Sequence, residues 1–184
     1  MSIAEAKLMT IEEYSNLPDN GRPTELVRGR VVEMNLPKPR HGQICGKVNR
    51  IYGNFADDRD LGHVVCNDTG IITQREPDSL RGADVAFFSF ERVPRGPLPT
   101  EYLSVTPDVA FEVRSPDDRW SNILEKVAEY LNAGVGVVCV LDPATETVHV
   151  YRADEAEQKL SGDDELVLPE ISSELRVSVS RFFD

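Results

Sequence analysis

Residues 81–88, Arg-Gly-Ala-Asp-Val-Ala-Phe-Phe, and residues 108–114, Asp-Val-Ala-Phe-Glu-Val-Arg, set the architecture of this 184-residue chain. Both are short runs rich in Val and Phe, the composition of buried strands. Each holds an acidic residue in its interior, Asp84 in the first and Glu112 in the second. Burying a carboxylate in such a run is costly unless a cation or a reaction requires it. Successive strand side chains point to opposite faces, so Val109, Phe111 and Val113 share one side and Ala110, Glu112 and Arg114 the other. Asp84 falls with Ala86 and Phe88. If the strands are neighbours, the two carboxylates meet at one cleft and suit a metal ion. The plain alternative leaves each at a strand end in solvent, where most charged residues lie. Asp108 is a decoy: four residues from Glu112 at about 3.3 Å each, it stands roughly 13 Å away.

A third charged group follows on a helix. Ile123, Leu124, Val127, Tyr130 and Leu131 recur at helical spacing over 121–133, and Gly134 is placed to end the helix. Lys126 borders this apolar stripe, whereas Glu125 and Glu129 are expected to project away from it. Lys126 can lean toward the sheet. Taken alone it would read as a solvated residue covering apolar surface with its stem.

Outward from this centre, Thr10 and Glu13 form a capping box for a short helix over 9–16, and residues 17–21 are a turn cluster. Residues 24–28 and 30–34 read as a hairpin turning at Arg28-Gly29. A helix is expected from His41 to about Asp58; its Gly42, Gly46 and Gly53 weaken it by up to ~1 kcal/mol each, which implies close packing on a sheet. Strands are expected over 63–74, 83–89, 108–114, 135–141 and 147–152. A long Pro-containing connection occupies 90–107 beside the candidate site, and 153–165 reads as a polar turn before one or two closing strands. The order predicts an α/β chain, read as one domain over residues 1–184.

The formal net charge is −12. Basic and acidic residues balance at nine each over 1–60, then stand at seven against twelve over 61–141 and four against eleven over 142–184. Such a chain lacks the broad positive field of most nucleic-acid binders, although its neutral first third carries seven arginines and lysines between Arg22 and Arg50. Cys45, Cys66 and Cys139 suggest neither a disulfide framework nor a zinc site, and of the histidines only His41, at a helix start, draws attention. There is no apolar run of membrane-spanning length, and residues 1–7 lack signal-peptide character. A cytoplasmic protein is the expectation.

Several segments together resemble the Uma-two family within the PD-(D/E)xK nuclease superfamily: Thr24-Glu25-Leu26-Val27-Arg28-Gly29, Pro39-Arg40-His41-Gly42, Asp68-Thr69-Gly70, Ala83-Asp84-Val85, Pro107-Asp108 through Glu112-Val113, Glu125-Lys126-Val127 and Leu141-Asp142-Pro143. The resemblance implies a restriction-endonuclease-like core, a mixed central sheet flanked by helices, with additional N-terminal and C-terminal hairpins. It implies Mg²⁺ or Mn²⁺ at Asp84, Glu112 and Val113, with Glu25 as a further acidic contributor. Arg114 stands where the superfamily pattern has lysine, and an arginine cannot deprotonate at working pH. Lys126 looks like the migrated catalytic cation, leaving Arg114, Arg40 and His41 as substrate contacts. The implied reaction is metal-dependent hydrolysis of nucleic acid, with DNA the expected substrate. The rival readings are a non-catalytic interaction module on the same scaffold and a metal-free acid/base hydrolase; against the latter, Trp120 is the sole tryptophan and no sugar-binding aromatic cluster exists. A homodimer is expected, because a double-strand cut calls for two sites and two-fold dimers are common; apolar residues on the hairpins 24–34 and 147–152 would supply the contact.

Overall fold

The computed structural model describes residues 7–18 and 21–184. The 1–7 reading, apart from Lys7, and Asp19-Asn20 of the predicted turn lie outside the described residues. The short helix is α1 (Ile11–Ser15), with both halves of the Thr10/Glu13 capping box formed. Strands β1 (Thr24–Val27) and β2 (Arg30–Glu33) make the predicted hairpin. Its turn residues Arg28 and Gly29 both have positive φ, 49° and 72°, matching the right-handed twist of the strands. Asp78 ties α1 to this corner: Oδ2 accepts the Ile11 amide at 2.8 Å and Oδ1 the Glu76 amide at 3.2 Å. Asp78→Ala leaves both donors unmatched and is expected to cost about 1–3 kcal/mol in thermal denaturation. Burial opposes its ionisation, but the Ile11 and Glu76 amides and Arg75 outweigh it, so the folded carboxyl sits below its ordinary value. That contribution is therefore complete above pH 3.8 and lost as pH falls through the lower folded value.

Helix α2 (Pro39–Arg59) buries Ile44, Val48, Tyr52 and Ala56. The packing expected at its glycines is absent at two of them, since a Cβ at Gly42 or Gly46 would meet nothing within 4 Å. The apolar stripe stabilises the helix instead, and Gly46→Ala is expected to raise stability by up to ~1 kcal/mol, read as a higher melting temperature.

Strands β3 (Gly62–Gln74), β4 (Ser79–Ser89) and β5 (Val109–Val113), helix α3 (Trp120–Ala133), then β6 (Val137–Asp142), β7 (Thr147–Tyr151) and β8 (Gln158–Ser161) complete the main sheet. Among the described residues this sheet has eight strands in the order β2-β1-β4-β5-β6-β7-β8, with β3 on β4. Only the β5–β6 pair is parallel among those pairings, joined by the α3 crossover, so the sheet is mixed. A second small sheet pairs β9 (Glu165–Leu168) with β10 (Ser172–Ser178), before a terminal turn of helix, α4 (Ser180–Phe183). The alternation in β5 holds: Val109, Phe111 and Val113 pack with α2 residues, and Ala110 with α3 residues. Gly134 ends α3 in the left-handed conformation, φ 100°.

Two expectations are corrected. Residues 158–161 form edge strand β8 within the stretch read as a turn; Gln-Lys-Leu-Ser is largely exposed and carries no apolar alternation. Consequently β7 is covered, with Thr147 to Val150 buried, and the 147–152 hairpin offers no exposed apolar patch for a partner. Among the described residues no helix is long and apolar enough to cross a membrane.

Candidate active site

The site lies at a fork in the sheet. Strand β3 occupies one edge of β4 along almost its whole length. On the other edge β4 pairs with β1 at Leu80 and with β5 from Val85 to Phe87. Between these partners residues 81–84 have no strand ladder on that edge, among the described residues, and side chains take the backbone groups. The Gly82 amide donates to Glu25 Oε1 at 3.0 Å, and the Gly82 carbonyl accepts from Lys126 Nζ at 2.7 Å. Asp84 Oδ2 accepts the Val113 amide at 2.6 Å.

Lys126 reaches in from α3 and is fully engaged. Besides Gly82 it donates to Glu112 Oε2 at 2.8 Å, and it forms an ion pair with Glu25 Oε1 at 3.2 Å, so three oxygens surround the ammonium. The Tyr130 hydroxyl, one turn further along α3, donates to Glu112 Oε1 at 2.9 Å. Arg81 bridges Glu25 at 2.8 Å and Glu129 at 2.6 Å. Glu129, expected to project outward, is thus turned inward by a mostly covered guanidinium that the helical pattern of α3 did not reveal.

From the other layer, α2 brings His41 to Asp84, Nε2 to Oδ1 at 3.4 Å, and Cys45 Sγ lies 3.4 Å from His41 Nδ1. Asp68 joins them from a bulge in β3, where Asn67 and Asp68 adopt φ of 71° and 55°. Sequence reading used Asp68 only as part of a family-like segment; the turn-prone Asn-Asp pair inside a strand was the available signal for a bulge. Gly82 faces this bulge, and a Cβ there would stand 3.0 Å from the Asp68 carbonyl oxygen. Gly82→Ala is therefore expected to lower stability by about 1–3 kcal/mol in thermal denaturation.

Crowding governs the charges. Burial and the neighbouring Asp84 push Glu112 up to about 7 despite Lys126. Burial and Asp84 likewise raise Asp68. Burial opposes ionisation of Glu25 and Asp84 as well, but Lys126 and Arg81 hold Glu25 below its ordinary value, and His41 and the Val113 amide do the same for Asp84. Lys126 loses to burial yet is held up more strongly by Glu112 and Glu25, so it stays an ammonium. Burial and the carboxylates keep the Cys45 thiol protonated.

Asp84, Glu112, Val113, Lys126, Glu25 and His41 line one cleft of about 550 Å³, with Asp68 and Gly82. Residues 32–38 and Tyr102, from the long connection, wall its mouth, where Glu33, Asp117, Asp118 and Glu125 add acid. Arg114 and Arg40 are not brought to it. Arg114 reaches Asp142 at 3.2 Å and the Asp118 carbonyl at 3.1 Å, over the Trp120 ring. Arg40 bonds the Phe183 carbonyl and Gln43. The decoy Asp108 accepts the Ser89 amide at 2.7 Å and pairs with Arg92 at 2.9 Å, a structural role at the start of β5.

This geometry can be set beside known proteins. None of the curated proteins compared matches the chain. A crystal structure of a "putative nuclease belonging to DUF820" from Anabaena variabilis ATCC 29413 has the same fold, with a TM-score of 0.84 over 95% of this chain and 97% of that one, at 22% identity. The Uma2 family, described as "Putative restriction endonuclease", matches residues 11–180, which span every element from α1 to the start of α4 and all the residues of the fork; the chain belongs to that family.

Proposed function

We propose that this protein is a metal-dependent nuclease whose ion binds at Asp84 and Glu112, hydrolysing phosphodiester bonds of nucleic acid, with DNA the expected substrate. The observation that carries the reading is the excess of carboxylate at the fork. The buried Glu25, Asp84 and Glu112 converge on one cleft with the exposed Asp68, against the charge of Lys126 and an Arg81 already shared with Glu129. A set of hard oxygen donors with unbalanced negative charge fits Mg²⁺ or Mn²⁺. Asp84 and Glu112 would hold the ion, with Val113 beside them. When bound, it supplies an acidified water and polarisation of a phosphoryl oxygen.

The chain's own groups do the rest. Tyr130 and Lys126 fix the Glu112 carboxylate from both sides, and the Val113 amide fixes that of Asp84. Lys126, an ammonium at all working pH values, places positive charge where a phosphate oxygen gains negative charge. His41, raised by Asp84 against the effect of burial, is a proton-carrying group at the cleft wall. The test is cleavage of labelled single- and double-stranded DNA and RNA with Mg²⁺ or Mn²⁺, against the same reactions with EDTA and with Glu112→Gln. Cleavage that survives either control is not this site's.

Complete engagement of the Lys126 donors and the acidic mouth favour a second reading, an interaction module that binds without cutting. It predicts nucleic-acid or protein binding with no metal-dependent product. We further infer a homodimer through the β1–β2 hairpin, where Val31, Val32 and Met34 are each 41% exposed. Light scattering that returns 20.5 kDa, the mass of one chain, rejects it.

A further inference from the structure

Cys45 has no part in the hydrolysis described above, yet it stands at its edge. His41 and Cys45 are four residues apart on α2, so they lie on one face of the helix and point at the fork together. One donor atom from each of His41, Cys45 and Asp84 lies within 4.8 Å of the other two. Asp68 lines the same cleft and interacts electrostatically with both His41 and Asp84. Nitrogen, sulfur and carboxylate oxygen form the donor set of zinc sites, in which three protein ligands leave a fourth position open. Zinc–ligand distances of about 2.0–2.3 Å mean the three donors must close by about 1 Å.

We propose that His41, Cys45 and Asp84 form a second cation site, selective for a borderline transition ion such as Zn²⁺, on the α2 side of the fork. The thiolate is what distinguishes it from the Asp84–Glu112 site, because sulfur favours zinc and cobalt over magnesium. On binding, Cys45 releases its thiol proton, and His41 any proton on its ligating nitrogen, to water, and the sulfur and nitrogen lone pairs form the metal bonds. Asp84 is common to both sites, so zinc at this one withdraws Asp84 from the hard ion. The site does not depend on the nuclease reading, since metal alone fills it.

Cobalt titration of the full chain is the test, with Zn²⁺ as competitor. A thiolate-to-cobalt charge-transfer band is expected in wild type, bleached by zinc, and retained in Cys66→Ser, which removes the exposed thiol. Glu112→Gln should retain it too. Cys45→Ser should lose the band and weaken cobalt binding by at least about tenfold to a hundredfold, the loss seen when only an outer partner of a ligand is removed. Zinc X-ray absorption on the Cys66→Ser chain should show one sulfur at about 2.3 Å, which keeps the idea testable if Cys45→Ser misfolds. A band that persists in Cys45→Ser, a band lost in Glu112→Gln, or zinc bound without sulfur overturns the proposal.

Discussion

Mg²⁺ at a hundred times its dissociation constant should stabilise the wild-type protein by about 2.7 kcal/mol, and Asp84→Asn should abolish the whole of that gain. For a chain of this size the gain is about 5–10 °C in melting temperature. The substitution is chosen because an amide oxygen can still accept the Val113 N–H, which Asp84 holds at 2.6 Å, so the strand junction survives. It also removes one negative charge from a crowded set. Without metal the variant should melt somewhat below wild type, because it gives up the His41 contact that favours ionised Asp84, and with metal the gap should widen by the whole of the lost gain. Cleavage should drop by about 10²–10³-fold or more, the usual cost of losing one well-placed electrostatic group. Calorimetric titration and melting curves at matched ionic strength read both effects. An undiminished metal-induced rise in Asp84→Asn would remove Asp84 from the ligand set, whatever its effect on cleavage.

Lys126→Met should unfold at a much lower temperature than wild type and cut nothing. The ammonium is the nearest compensation for Glu112 and shares Glu25 with Arg81. Removing one partner of a buried ion pair costs about 3–5 kcal/mol, because the remaining charge is left in a dry site. That corresponds to roughly 6–20 °C in melting temperature. The pH dependence has a definite sign. Glu112 is already pushed up to about 7, and without Lys126 it rises further. Protonation then neutralises it, so the part of the deficit due to Glu112 should shrink as the pH is lowered toward about 7, below which this carboxyl is neutral in both proteins. Adding Glu112→Gln to the variant should recover part of the lost stability without restoring cleavage. Lys126→Arg tests geometry apart from charge. A planar guanidinium cannot reproduce the compact set of contacts to Gly82, Glu112 and Glu25, so folding should largely recover while cleavage stays low. Full activity in either single variant would end the assignment of Lys126 as the cation that acts on the phosphate.

Local periodicity carried much of this fold. Alternation in 109–113 put Glu112 on the side opposite Val109, Phe111 and Val113, and helical spacing in 121–133 placed Lys126 beside the stripe that packs on the sheet. The capping box at Thr10, the turn at Arg28-Gly29 and the helix end at Gly134 are likewise short-range features, decided by the φ/ψ and hydrogen-bonding preferences of a few adjacent residues. Strand β8 escaped because a mostly exposed edge strand needs no apolar pattern, and Glu129 misled because its position on the helix says nothing of Arg81 waiting on β4. The meeting of Asp68, His41 and Cys45 with Asp84 was beyond any local pattern. It depends on β4 changing partners between Leu80 and Val85, which opens the sheet and lets α2 supply His41 to Asp84 and α3 supply Lys126 to Glu112 and Glu25 within one cleft. Residue preferences act over a few positions, whereas that opening is set by pairings across tens of residues, so the acids and the lysine were legible in the chain but their common fork came from the folded sheet.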